Sequence, residues 1–302
     1  MPQAKSNIAF LFPGQGAVPE SALCDFLGTG VESHYSRIKA EAAPDLSAFH
    51  HAAIDSDRSA QLGVFALSLA MAQEAARFCT PDMVSGYSSG LYAAMVASGC
   101  LSSAQGNDAI ELAYKGVCQS TTSAVMVGVI GLNVHTVATI VQELTPQGTL
   151  SLVNNKTQTI ATINKDNLSE FTATCLQGGA LKVIPLPFKY PYHVATLSET
   201  SASLRQYFAA LHMPPLHIPM VAGMNPEYIP TDSNHAANLV ADQLCQTVYW
   251  QHTIQTLIDH GAEKFVVFDP TSILTRIIRW ISRQITVIGI TTPADIVSLR
   301  DL

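Results

Sequence analysis

The chain has 302 residues, 48% of them hydrophobic and 13% charged, with a formal net charge of −7. That length can bury one large core, or a large domain that carries a smaller inserted one. The acidic balance argues against nucleic acid or an anionic lipid surface as a partner. The apolar runs, residues 63–71 among them, are too short to span a bilayer.

In chain order, "NIAFLF" (7–12) is a continuous apolar run that predicts a buried parallel strand, ended by the turn "PGQGA". Its early stop at Pro13 and Gly14 does not match a secretory leader. Residues 60–78 carry helix formers with apolar positions on several faces, which predicts a buried helix. "DMVSG" (82–86) reads as a second core strand, followed by a turn at Ser88, a helix ending at Gly99 and another over 107–116.

From residue 124 the pattern changes. Strand 124–132, helix 134–144, strands 148–155 and 158–164, helix 167–179 and strand 180–188 follow one another. The order β-α-β-β-α-β predicts a ferredoxin-like unit over 124–190. It is inserted in an α/β-hydrolase-like large domain formed by 1–123 and 191–302. "MPPLHIPM" (213–220) is a connector, "KFVVFDP" (264–270) a further core strand and "SILTRIIRWI" (272–281) a helix.

Two features carry chemistry. Gly86-Tyr87-Ser88-Ser89-Gly90 fits G-x-S-x-G, a strand-to-helix turn that can hold a hydroxyl in a strained, exposed position. A serine nucleophile needs a base and donors for an oxyanion. Of ten histidines, His50, His51, His212, His217, His235, His252 and His260 read as surface or structural residues. His193 follows the 124–190 unit in "PFKYPYHVATL", at a junction where clefts form. Six cysteines are scattered singly without C-x-x-C pairs, which predicts reduced thiols of a cytoplasmic protein and no metal site.

"FLFPGQGA", "GYSSGLYAAM", the inserted unit, "YPYHVATL", "DQLCQTVYW" and "VFDPTSILT" stand in the order of the malonyl-CoA:acyl carrier protein transacylases. The chain resembles that family, which includes the acyltransferase domains of fatty-acid and polyketide synthases, over nearly its whole length. The resemblance implies transfer of a malonyl or related short acyl group from a coenzyme A thioester to the phosphopantetheine of an acyl carrier protein, with no tightly bound cofactor. It makes Ser88 the nucleophile and His193 the general base. The backbone N–H groups of Gln15 and Ser89 become the oxyanion hole, and Gln243 the residue that orients the histidine. Asn155 falls near a family segment lining the cleft, with Gln158 a looser match.

The departures concern the substrate. Tyr87 stands where the family usually has histidine, as in the transacylase subunit of malonate decarboxylases, and Leu91 replaces glutamate. Tyr192 precedes the base, where the family usually has serine or phenylalanine, and is an expected substrate contact. The arginine that grips a malonyl carboxylate is missing from 109–117, which leaves Lys115 or Tyr114 as the expected substrate contacts. Lysine supplies one charge at one point and cannot copy a bidentate fork. Three alternatives remain at this level: a hydrolase acting through the same ester, the transacylase subunit of a malonate decarboxylase, and a non-catalytic carrier-docking subunit. The stand-alone length suggests a monomer.

Overall fold

A continuous apolar segment folds as a strand when both its faces are covered, and Ile8–Phe12 is buried at every position. The computed structural model describes residues 7–16, 20–41, 57–120, 123–145 and 147–302. His50 and His51 lie outside the described residues. In chain order the strands are β1 (Ile8–Phe12), β2 (Met83–Gly86), β3 (Ala124–Ile130), β4 (Thr149–Asn155), β5 (Gln158–Asn164), β6 (Lys182–Pro185), β7 (Met220–Ala222), β8 (Glu227–Ile229), β9 (Val248–Tyr249), β10 (Lys264–Val267) and β11 (Thr286–Gly289).

They form two sheets. The larger runs β11-β10-β1-β2-β7-β8, parallel except for β8 at one edge. Helices cover it, and Asp57–Ala75 is buried on most of its surface, with Leu62, Phe65, Leu69 and Met71 in the core. The smaller runs β6-β3-β5-β4-β9. Its first four strands are antiparallel neighbours and, with helices Val134–Leu144 and Leu168–Gln177, give the expected ferredoxin-like order. Val127, Val129, Val137, Ile163 and Phe171 make its core. The fifth strand, β9, comes from beyond 124–190 and pairs parallel with β4.

The fold class expected from the sequence is therefore present, and helix ends shift only by a few residues. The helix expected at 107–116 is Ser103–Gln119, because Ser102 and Gln105 close a capping box ahead of it. Among the described residues no helix is long and apolar enough to cross a membrane.

One register brings the turn after β1 beside the turn after β2. The two strands pair so that Phe12 lies opposite Gly86. The two chains leave the sheet side by side at the carboxyl ends of their strands, the usual place for a ligand crevice in an open parallel sheet. The approach is so close that side chains are excluded. A Cβ on Gly90 would meet the Phe12 carbonyl oxygen at 2.2 Å, and one on Gly86 would meet Gly90 backbone at 2.1 Å.

Gly90→Ala is expected to destabilise the protein by about 3 kcal/mol, the upper end of overpacking costs. Gly128→Ala, whose added methyl meets nothing nearer than 3.7 Å, is expected to be neutral or stabilising by up to about 1 kcal/mol. Urea denaturation of the two variants, compared by midpoint at constant slope, checks both.

Candidate active site

The turn after β2 is built from its glycines outward. Tyr87 N–H donates to the Phe12 carbonyl at 2.9 Å, which ties the turn to the end of β1. Ser88 then takes φ of 55°, a left-handed conformation rare for a residue with a side chain. Helix Gly90–Ala97 begins at once, with Gly90 N–H bonded to the Tyr87 carbonyl and Leu91 N–H to that of Ser88. The strained turn pushes the Ser88 hydroxyl out of the sheet, toward His193.

Ser88 Oγ and His193 Nε2 are 2.7 Å apart. His193 Nδ1 lies 2.6 Å from the main-chain carbonyl oxygen of Gln243. A carbonyl can only accept, so the proton of the neutral ring sits on Nδ1 and donates there. Nε2 is left as the acceptor, and the Ser88 hydroxyl donates to it. Gln243 thus meets the histidine through its backbone, while its buried side-chain Oε1 has no partner. His193 also has a positive φ, 61°. Val194 N–H holds the next peptide to the Leu244 carbonyl at 3.1 Å.

Two ion-bearing groups brace this arrangement. Arg205 pairs with Asp242, the residue before Gln243. The buried Asp57 carboxylate accepts from the Lys189 and Tyr190 N–H groups and from the Tyr192 hydroxyl, pinning the approach to His193. Burial of His193 lowers its pKa from 6.5 to about 4, partly opposed by the bond to Gln243.

The hydroxyl opens on a cavity of about 430 Å³ between the ends of β1 and β2 and the face of the small sheet. Gln15, Ser88, Ser89, Tyr192, His193 and Gln243 all line it. Gln15 sits in the turn after β1, which comes close because a Cβ on Gly14 would meet the Tyr87 carbonyl at 2.6 Å. Neither the Gln15 nor the Ser89 main-chain N–H has a protein acceptor among the described residues. His212, His217, His252 and His260 are exposed, and His235 pairs with Glu227 away from the cavity.

Three expected substrate contacts lie elsewhere. Lys115 is exposed on helix Ser103–Gln119 and Tyr114 packs edge-on against Tyr190; neither lines the cavity. Helical rotation presents Ala113 instead, 3% exposed, at the cavity wall. Asn155 closes its own turn by accepting from Thr157 N–H, and its neighbour Asn154 lines the cavity. Gln158 is also in the lining.

Residues missed from sequence were Gln61, Asn154 and Ala113. Gln61 Nε2 donates to Gln15 Oε1 at 3.1 Å, and Tyr87 donates to Asn154 Oδ1 at 2.7 Å. The second bond joins the serine turn to the small sheet. A glutamine among the apolar residues of a buried helix was the available signal for Gln61. Among the described residues no group of side chains could hold a metal ion.

The arrangement supplies an activated hydroxyl, a neutral base of fixed tautomer and two free N–H donors beside a cavity. Because His193 protonates only near pH 4, the reactivity of Ser88 toward a sulfonyl fluoride is expected to stay flat between about pH 8 and pH 5, then fall. Inactivation rates read by intact mass check this; a limb centred at 6.5 would refute it. The unfolded chain takes the proton near 6.5, so the same shift makes the native state lose stability as pH falls from there toward 4.

The chain is similar to known proteins in sequence and in fold. The family described as acyl transferase domain matches residues 46–293. The malonyl CoA-acyl carrier protein transacylase of Bacillus subtilis is 23% identical, over 96% of this chain and 95% of that protein. That of Escherichia coli K12 is 22% identical, over 98% and 100%. Among solved structures, a malonyl-transacylase in complex with a type II polyketide synthase acyl carrier protein superposes with a TM-score of 0.90. It has 20% identity and covers 98% of this chain and 99% of that one. The acyltransferase domain of the second salinomycin polyketide synthase module gives a TM-score of 0.82 at 18% identity, covering 99% and 72%.

Proposed function

The chain belongs to the acyl transferase family, and on that premise we propose that it moves an acyl group from a coenzyme A thioester, through an ester on Ser88, to the phosphopantetheine thiol of an acyl carrier protein. The observation that carries the reading is the chain of contacts from Ser88 Oγ through His193 to the Gln243 carbonyl. Donor and acceptor follow from the relatives, which are named for malonyl CoA and acyl carrier protein. The same likeness points to fatty-acid or polyketide synthesis as the setting.

In the first half, Ser88 Oγ attacks the thioester carbonyl while its proton passes to His193 Nε2. The oxyanion lies between the N–H groups of Gln15 and Ser89. Collapse breaks the C–S bond, and the imidazolium returns the proton to the departing thiolate. In the second half, the carrier thiol gives its proton to Nε2 and its sulfur attacks the ester. Ser88 Oγ then leaves with that proton. Each half uses the same base and donors, so one site serves both.

Ser88→Ala is expected to abolish the acyl adduct seen by intact mass after incubation with acyl-CoA and acid quench. Ser89→Ala is expected to retain most of it, since its proposed role uses only the main-chain N–H. Loss in Ser89→Ala with retention in Ser88→Ala would reverse the assignment. His193→Ala is expected to slow adduct formation by a factor of ~10² or more while leaving the denaturation profile near neutral pH largely intact. Stopped-time mass measurements check the rate.

A further inference from the structure

We propose that the acyl group this site accepts is uncharged, an acyl chain without a terminal carboxylate. The inference rests on the acyl-enzyme reading above and narrows its substrate. Beyond Ser88 the cavity is walled by Ala113, Met126, Leu152, Ile160, Leu186 and Phe188. No lysine or arginine lines it among the described residues. Cations on neighbouring elements lie outside the lining, and three of them are engaged. Arg58 forks onto Glu111, Arg205 pairs with Asp242, and the Lys189 ammonium lies over the Tyr190 ring. Lys115 is exposed.

Three neutral donors in the lining are engaged with protein acceptors, and the side-chain amides of Gln15, Asn154, Gln158 and Gln243 bring no positive charge. Tyr87 donates to Asn154, Gln61 to Gln15, and Tyr192 to Asp57. Two hydroxyls in the lining, on Tyr92 and Thr159, have no partner. They bring no positive charge. Among the described residues no lysine or arginine is buried behind the wall. Asp57 is buried, and its carboxylate touches the hydroxyl of Tyr192, which itself lines the cavity. A carboxylate placed there loses its hydration, gains no counter-charge and faces a like charge. An aliphatic chain loses only unfavourable contact with water.

The test is competition between equimolar malonyl-CoA and butanoyl-CoA, which are close in size and differ in charge. Adducts on Ser88 are weighed after short incubation and acid quench, and transfer to a carrier protein gives kcat/KM for each. The butanoyl adduct is expected to exceed the malonyl adduct by roughly tenfold or more. Ala113→Arg, which places a guanidinium at the wall, is expected to raise the malonyl share. A malonyl preference in the wild-type protein would overturn the inference and leave the acyl-transfer reading standing. A folded Ala113→Arg with an unchanged ratio would overturn the assignment of the preference to charge. Absence of any adduct from either thioester would overturn the acyl-enzyme reading, and the inference with it.

Discussion

The hydrogen bond from His193 Nδ1 to the Gln243 carbonyl, 2.6 Å long, sets the chemistry that the rest of the site can perform. It fixes the tautomer and aims the Nε2 lone pair at Ser88, work that a carboxylate does in the Ser-His-Asp arrangement. A carbonyl does this without a full negative charge. The imidazolium formed during reaction is therefore stabilised less than it would be beside an aspartate, in keeping with a ring pKa depressed to about 4. With a weak base, more of the transition-state stabilisation falls to the donors around the oxyanion, here proposed as the Gln15 and Ser89 N–H groups.

The Ser88–His193 pair needs a rigid frame, because both residues hold backbone conformations that side chains disfavour. Ser88 and His193 each have φ near 60°, at a cost of roughly 1–2 kcal/mol apiece. The surroundings over-determine both. Gly86 and Gly90 let the serine turn press against β1, and Tyr87 ties it to Asn154 across the cavity. Asp57 holds the peptides ahead of His193, Leu244 holds the one after it, and Arg205 anchors Asp242 beside the accepting carbonyl. The strain persists at these two positions because every route to relax it breaks a contact in the core.

How much of this was legible depended on whether the signal lay along the chain or across it. The β1 run, the glycines around Ser88 and the β-α-β-β-α-β order are local patterns, and they folded as such. The position of His193 at the end of the inserted segment was legible for the same reason. Lys115 and Tyr114 misled because sequence fixes the presence of a helix more firmly than its rotation. A shift of one or two residues turns a side chain by 100° to 200°. Asn155 misled in the matching way for a strand, where neighbouring residues face opposite sides. The partners of Gln61 and Asn154 were not legible, because Gln15 and Tyr87 are brought to them only by the packing of a distant helix and a second sheet. The backbone role of Gln243 was hidden too, since a carbonyl belongs to every residue.

The neutrality of the pair and the neutrality of the cavity are one electrostatic design. An anion held close to His193 would favour its protonated form and draw its pKa back toward the ordinary range. The ring would then meet an incoming thiol already carrying a proton, and could not take another. A malonyl-binding site escapes this when a cation neutralises the carboxylate at its far end. Here Ala113 occupies the wall, and the buried Asp57 carboxylate touches the hydroxyl of Tyr192 in the lining. An uncharged acyl group leaves the imidazole free to accept from Ser88 in one half-reaction and from a thiol in the next. The apolar lining and the carbonyl-oriented histidine thus select the same class of substrate for separate physical reasons, desolvation in one case and proton affinity in the other.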